Sequence, residues 1–102
     1  MISHITITKG RLARNPHGGL AEEGIYTCMC LVCDAGGHVV SLWLYAFGEL
    51  AKVIEENLSK GDEIGVKAET ASNDGKYRIP CVGIAELLVI TEMEVDGKVI
   101  AV

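Results

Sequence analysis

Ser41-Leu42-Trp43-Leu44-Tyr45-Ala46-Phe47-Gly48-Glu49-Leu50-Ala51-Lys52, running on to Asn57-Leu58-Ser59-Lys60-Gly61-Asp62, reads as a strand that passes into a short amphipathic helix without a linker. Side chains alternate across a strand, so Leu42, Leu44 and Ala46 share one face and Trp43, Tyr45 and Phe47 the other. The aliphatic face predicts the core side. The opposite face holds three of the five aromatic residues of the chain. After Gly48, the recurrence of Leu50, Val53, Ile54 and Leu58 predicts a helix, with Lys60-Gly61 as a cationic last turn and a glycine stop.

Working outward, the first strand is expected from Ser3 to Leu12, its alternation clearest in Ile5-Thr6-Ile7-Thr8. Asn15-Pro16-His17-Gly18-Gly19 reads as a loop that Glu22-Glu23-Gly24 prolongs. A second strand is expected from Ile25 to Cys33 and a third from His38 to Phe47, joined by a tight turn at Asp34-Ala35-Gly36-Gly37. A fourth begins at Asp62. Ser72-Asn73-Asp74-Gly75 is a second hairpin signal, and a fifth strand runs from Lys76 into the apolar stretch Ala85 to Ile90. Asp96-Gly97 is a last turn, letting Lys98 to Val102 pair back.

Two blocks carry a family resemblance. Phe47-Gly48-Glu49-Leu50-Ala51, a few residues of helix, and then Leu58-Ser59-Lys60-Gly61-Asp62 resemble the centre of bacterial single-stranded DNA-binding proteins. Gly10-Arg11-Leu12-Ala13-Arg14-Asn15-Pro16 is similar to the end of that family's first strand. The blocks stand in the family's order, and with the strand pair between them they span about half the chain. The chain also resembles the short, dimeric primosomal replication protein relatives.

Departures from the family are substantial. Its third-strand tryptophan position falls on Ser41, with Trp43 two residues later on the same face. The basic second-to-third hairpin is reduced to Asp34–Gly37. The fourth-to-fifth hairpin lacks a tryptophan and leaves Tyr77 as the only nearby aromatic, and Lys98-Val99-Ile100-Ala101-Val102 does not read as the family's acidic C-terminal tail. Shorter arms imply less wrapped strand and weaker binding.

The expected fold is all-β with one helix: five strands, with the helix between the third and fourth, in the order of the Greek-key barrel known as the OB-fold. An antiparallel β-sandwich with one helix is the alternative. At 102 residues the chain is expected to form one domain, residues 1–102. Hydrophobic residues make up 49% and charged residues 23%, a composition of folded globules. No apolar run approaches the ~20 residues of a membrane span, and the N-terminus has no apolar signal core, so a cytoplasmic protein is expected.

A net charge of −5 argues against indiscriminate binding to polyanions. The charge is unevenly placed, however. Lys9, Arg11 and Arg14 cluster at the end of the first strand, and Lys76 and Arg78 flank Tyr77, while acids load the helix and the C-terminal segment. A locally basic face and scattered solvated charge are both compatible with this pattern. Cys28 and Cys30 share a strand face and Cys33 points away, with Cys81 distant, so small buried thiols are expected rather than a zinc site.

No enzyme chemistry assembles. His4, His17 and His38 stand apart in sequence, and neither Gly18-Gly19 nor Gly36-Gly37 opens a phosphate-cradling helix. Neither a cofactor nor a metal is expected. Binding of single-stranded DNA fits better, through a basic groove and aromatics on which bases stack. The expected nucleic-acid-binding residues are Lys9, Arg11, Arg14, Trp43, Tyr45, Phe47, Tyr77 and Arg78. By the resemblance, Phe47 takes the place of a base-stacking aromatic, and Arg11 and Arg14 lie near the same groove. Burial of the same aromatic stripe under a loop or in a dimer interface is the alternative to binding, which is the favoured reading. The competing function is a protein-interaction OB module with little nucleic-acid affinity, which the acidic balance favours. A homodimer is expected, because a barrel this short leaves edge strands to cover, with the first strand or the Asp96-Gly97 hairpin as the interface.

Overall fold

The computed structural model describes residues 4–21, 24–73, 79 and 85–101. Lys76, Tyr77, Arg78 and Cys81, with the second hairpin tip and the start of the expected fifth strand, lie outside the described residues. The elements are β1 (His4–Leu12), β2 (His17–Ala21), β3 (Gly24–Ala35), β4 (His38–Phe47), α1 (Gly48–Asn57), β5 (Glu63–Ser72), β6 (Glu86–Val95) and β7 (Lys98–Ala101).

Strand order among the described residues is β1-β5-β6-β4-β3, and β1 returns to pair with β3, which closes a five-stranded barrel. All contacts in the circuit are antiparallel except β4 with β6, which meet in parallel at Tyr45 and Val89. With α1 between the third and fourth barrel strands, this is the OB-fold order. β2 and β7 stand outside the circuit, on the edges of β3 and β6.

Local sequence explains the turns. Gly36 and Gly37, both at positive φ, make a two-residue connection between Ala35 and His38, and the Gly37 N–H donates to Asp34 Oδ1 at 2.9 Å. Asp96 (φ 51°) and Gly97 (φ 79°) repeat the device between β6 and β7.

Two expectations need correction. The stretch read as a loop contains β2, five residues paired to β3 from His17 opposite Cys28 to Ala21 opposite Gly24. Gly18 and Gly19 are close-packing glycines here, since a β-carbon on Gly18 would run into Glu55 of α1 and one on Gly19 would lie 3.3 Å from the Tyr26 ring. The helix ends at Asn57, before Lys60. Leu58 is already extended, yet it stays buried, and its N–H still donates to the Ile54 carbonyl at 2.9 Å.

What stops the helix is a clip between the two sequence blocks. The Lys60 N–H donates to Asn15 Oδ1 (2.8 Å), the Gly61 N–H to the Leu12 carbonyl (2.9 Å), and the Leu12 N–H to the Asp62 carbonyl (2.9 Å). Inside the barrel, Leu12, Met29, Leu31, Leu44, Ile64, Val66, Ile90 and Met93 form the core, and Leu50, Ala51 and Ile54 of α1 pack into it. β1 closes this barrel by crossing Leu31 at Gly10, where a β-carbon would sit 2.7 Å from Leu31 Cγ. A second cluster lies outside the barrel: Tyr45, Ile79, Leu87 and Val89, with Tyr26, Cys28 and Phe47 against it.

Gly10→Ala is expected to lower stability by about 1–3 kcal/mol in urea denaturation, since Leu31 is fully buried and has nowhere to retreat. Combining it with Leu31→Val should cost less than the sum of the two single changes, the sign of a shared steric clash.

The outer cluster predicts an alkaline weakness. Tyr45 is pushed up to about 12, first by burial and then by the neighbouring Cys28. Its folded value exceeds the unfolded value of ~10, so the folded state keeps a proton that the unfolded chain gives up. Stability associated with Tyr45 is thus complete below pH ~10 and is lost as pH rises towards 12, by up to about 2–3 kcal/mol. Urea midpoints measured between pH 9 and pH 12 should fall more steeply for the wild type than for Tyr45→Phe.

Candidate nucleic-acid interface

The outer face of β3 and β4 is assembled by alternation and register. Met29 and Leu31 of β3 and Leu44 and Ala46 of β4 enter the core. The intervening residues therefore face outward, in rows set by the pairing. Tyr26 stands opposite Phe47, Cys28 opposite Tyr45, Cys30 opposite Trp43, and Val32 opposite Ser41. β1 adds Arg11 beside Val32, and β2 adds His17 beside Cys28.

The aromatic face expected from the sequence exists, but its members differ in access. Trp43 is 48% exposed, Phe47 is half-buried and Tyr45 is 5% exposed. Tyr45 is covered because the fully buried Ile79 packs against it, together with Leu87 and Val89. Asn73 holds Ile79 there. Its Oδ1 accepts from the Ile79 N–H at 2.8 Å, its Nδ2 donates to the Ile79 carbonyl at 3.3 Å, and its N–H donates to the Ala85 carbonyl at 2.8 Å. Tyr45 thus backs the face from below while Trp43 stands in the open.

Tyr26 is an aromatic of this face that the sequence alone does not mark. Tyr26 has its ring centroid 6.3 Å from Phe47 and 6.5 Å from Tyr45, within the range of tilted aromatic contact. The signal was present in the alternation of Tyr26, Cys28 and Cys30 against Met29 and Leu31, and only the register with Phe47 gives it meaning.

The three cations at the end of β1 separate into two situations. Arg14 lies over the ring of Trp43, its guanidinium carbon 5.4 Å from the centroid, a cation–π contact worth about 0.5–1 kcal/mol at an exposed site. Lys9 and Arg11 instead both meet Glu63, at 3.2 and 2.7 Å. Exposed pairs of this kind contribute about 0–1 kcal/mol each, so they are easily exchanged. Tyr77 and Arg78 lie outside the described residues.

Beneath Arg14 the thiol of Cys28 is half-buried. Burial pushes it up, and the Tyr45 hydroxyl that donates to it only partly offsets this. Cys28 is therefore a neutral packing group. No three His, Cys, Asp or Glu side chains among the described residues come together as a metal site would require. What the face offers chemically is a flat exposed indole, a second aromatic patch at Phe47 and Tyr26, and guanidinium and ammonium groups along one side.

No protein-family model matches the sequence, and no curated protein matches it either. Solved structures do. The small single-stranded DNA-binding protein of Streptomyces coelicolor superposes with a TM-score of 0.72 at 17% identity, covering 94% of each chain. The mitochondrial single-stranded DNA-binding protein of S. cerevisiae gives 0.69 at 18% identity, over 92% of this chain and 93% of its own. A single-stranded DNA-binding domain from Synechococcus sp. gives 0.65 at 13% identity, over 89% of this chain and 92% of its own. At such identities the likeness is one of fold, and the fold is the OB barrel with its helix between the third and fourth barrel strands.

Proposed function

We propose that this chain binds single-stranded DNA on the outer face of β3 and β4, in replication, repair or recombination. The observation that carries the reading is Trp43, half-exposed on the third barrel strand with the Arg14 guanidinium over its ring. OB barrels take oligonucleotides on their second and third strands and the flanking loops, and here those strands are β3 and β4. A base stacks on the indole, Phe47 and Tyr26 receive a neighbour, and Arg14, Arg11 and Lys9 lie along the phosphate side. Three structural neighbours described as single-stranded DNA-binding proteins support this reading. Tyr77 and Arg78 belong to it as expected members, and Tyr45 as the support beneath. Action is proposed in the cytoplasm, and the single domain 1–102 as the unit that acts.

A protein-interaction module with little nucleic-acid affinity is the second reading. The engagement of Lys9 and Arg11 by Glu63 on a chain of net charge −5 favours it. Titration with oligo-dT separates the two. Binding should quench the fluorescence of Trp43, the one tryptophan of the sequence, and Trp43→Ala should weaken affinity by about 1–3 kcal/mol. Arg14→Gln should flatten the plot of log affinity against log salt by ~0.7. Unchanged fluorescence at saturating oligonucleotide would leave the interaction-module reading.

A homodimer is part of the same proposal. Among the described residues, β1 before Gly10 and the whole of β7 each have one side without a neighbouring strand, and Val99 on β7 is 58% exposed. Sedimentation at tens of micromolar, about where weak dimers appear, should show a dimer. Its loss in Val99→Glu would point to β7 as the interface, and its survival would exclude β7.

A further inference from the structure

Two of the three cations beside the aromatic face are held by one carboxylate. Arg11 Nη2 donates to Glu63 Oε1 at 2.7 Å, and Lys9 Nζ lies 3.2 Å from Glu63 Oε2, so each oxygen faces its own positive charge. Register produces this arrangement: Arg11 sits directly across from Glu63 on β1 and β5, and Lys9 lies in the bulge between Ile7 and Gly10. The side chains of Lys9, Arg11 and Glu63 are 76%, 63% and 40% exposed, so the group is open to exchange with a solute anion. Together they line a cleft of about 400 Å³ that Val32 and Val39 share. Asp34 also borders the cleft, and its Oδ1 accepts from the Gly37 N–H at 2.9 Å.

We infer that Glu63 is a built-in competitor for backbone phosphate. It occupies Lys9 and Arg11 in the free protein, and a phosphodiester of a bound single strand reaches them by displacing it. This rests on the DNA-binding reading and adds the residue that sets its strength. Two arguments support it. A carboxylate presents to a guanidinium the same paired acceptors as a phosphate, so one can replace the other without rebuilding the site. The row of Arg11, Val32 and Ser41 also lies two residues along the strands from the row of Cys30 and Trp43, ~7 Å away. A nucleotide stacked on Trp43 therefore brings a phosphate to the cleft.

The consequence is a salt dependence smaller than the count of cations suggests. Glu63 cancels one of the two charges, so Lys9 and Arg11 together release counterions as about one free cation when the strand binds. Arg14, over the indole, has no ion pair among the described residues and supplies a full cation's share of the wild-type slope.

The test is a set of oligo-dT titrations at several salt concentrations, read by Trp43 fluorescence, on full-length wild type, Glu63→Gln, Lys9→Gln/Arg11→Gln, and the triple variant. Glu63→Gln should bind about tenfold tighter at low salt, with a slope steeper by ~0.7, for the one positive charge it uncovers. That gain should be largely lost in the triple variant, where Glu63→Gln has no cation left to release. Equal affinity and slope in wild type and Glu63→Gln, with both bound, would overturn the inference and leave the DNA-binding reading intact. Absence of binding in both would overturn the two together. Should Glu63→Gln melt below the assay temperature, the Lys9→Gln/Arg11→Gln pair in the wild-type background decides. A salt slope flatter by ~1.4 there, the full count for two free cations, would mean that Lys9 and Arg11 are not held by Glu63 in the free protein, and the competitor role falls.

Discussion

The structure depends on one short crossing, where β1 leaves the edge of β5 to reach β3. Arg11 and Leu12 pair with both neighbours or with their flanking backbone, and the crossing is possible only because Gly10 carries no side chain above Leu31. An open sheet of this twist would leave Leu31, Leu44 and Ile64 facing water. Closure buries them, and α1 then seals one end with Leu50, Ala51 and Ile54. The clip from Lys60 and Gly61 to Asn15 and Leu12 holds the end of β1 in place after the crossing.

Closure also creates the candidate interface. The chain emerges from β1 at Ala13, whose N–H donates to the Cys30 carbonyl at 3.0 Å, and the next residue, Arg14, is delivered over Trp43. On the far side of the same face, Asn73 holds Ile79, which packs over Tyr45. The exposed aromatic surface is what remains between these two coverings. Its access is therefore decided by backbone routes on either side of β4 and not by β4 itself.

Charge follows the same logic. The chain is acidic overall, and the cations of β1 are the local exception. The pairing that closes the barrel also brings Glu63 opposite Arg11, so the fold places an anion in the middle of its own basic patch. A face with one guanidinium on an indole, without an ion pair among the described residues, and two cations in an exchangeable ion pair is suited to moderate, salt-sensitive binding.

Much of this was legible in the sequence. The order of strands and helix, the inward Leu44 and Ala46, the outward Trp43 and the glycine turns follow from period-two alternation and from backbone conformations that neighbouring residues set locally. The blocks around Gly10–Pro16 and Phe47–Asp62 were visible as a resemblance, although nothing in either block says that they touch. β2 escaped because its glycines read as a loop, and the clearance they provide beside Glu55 and Tyr26 exists only once α1 has docked. Burial of Tyr45, the partnership of Tyr26 with Phe47 and the capture of Lys9 and Arg11 by Glu63 were decided by tertiary structure alone. Local sequence determines which face of a strand a side chain occupies. Whether that face is covered, and which charge stands across from it, depends on segments brought together by barrel closure, and no local pattern carries that information.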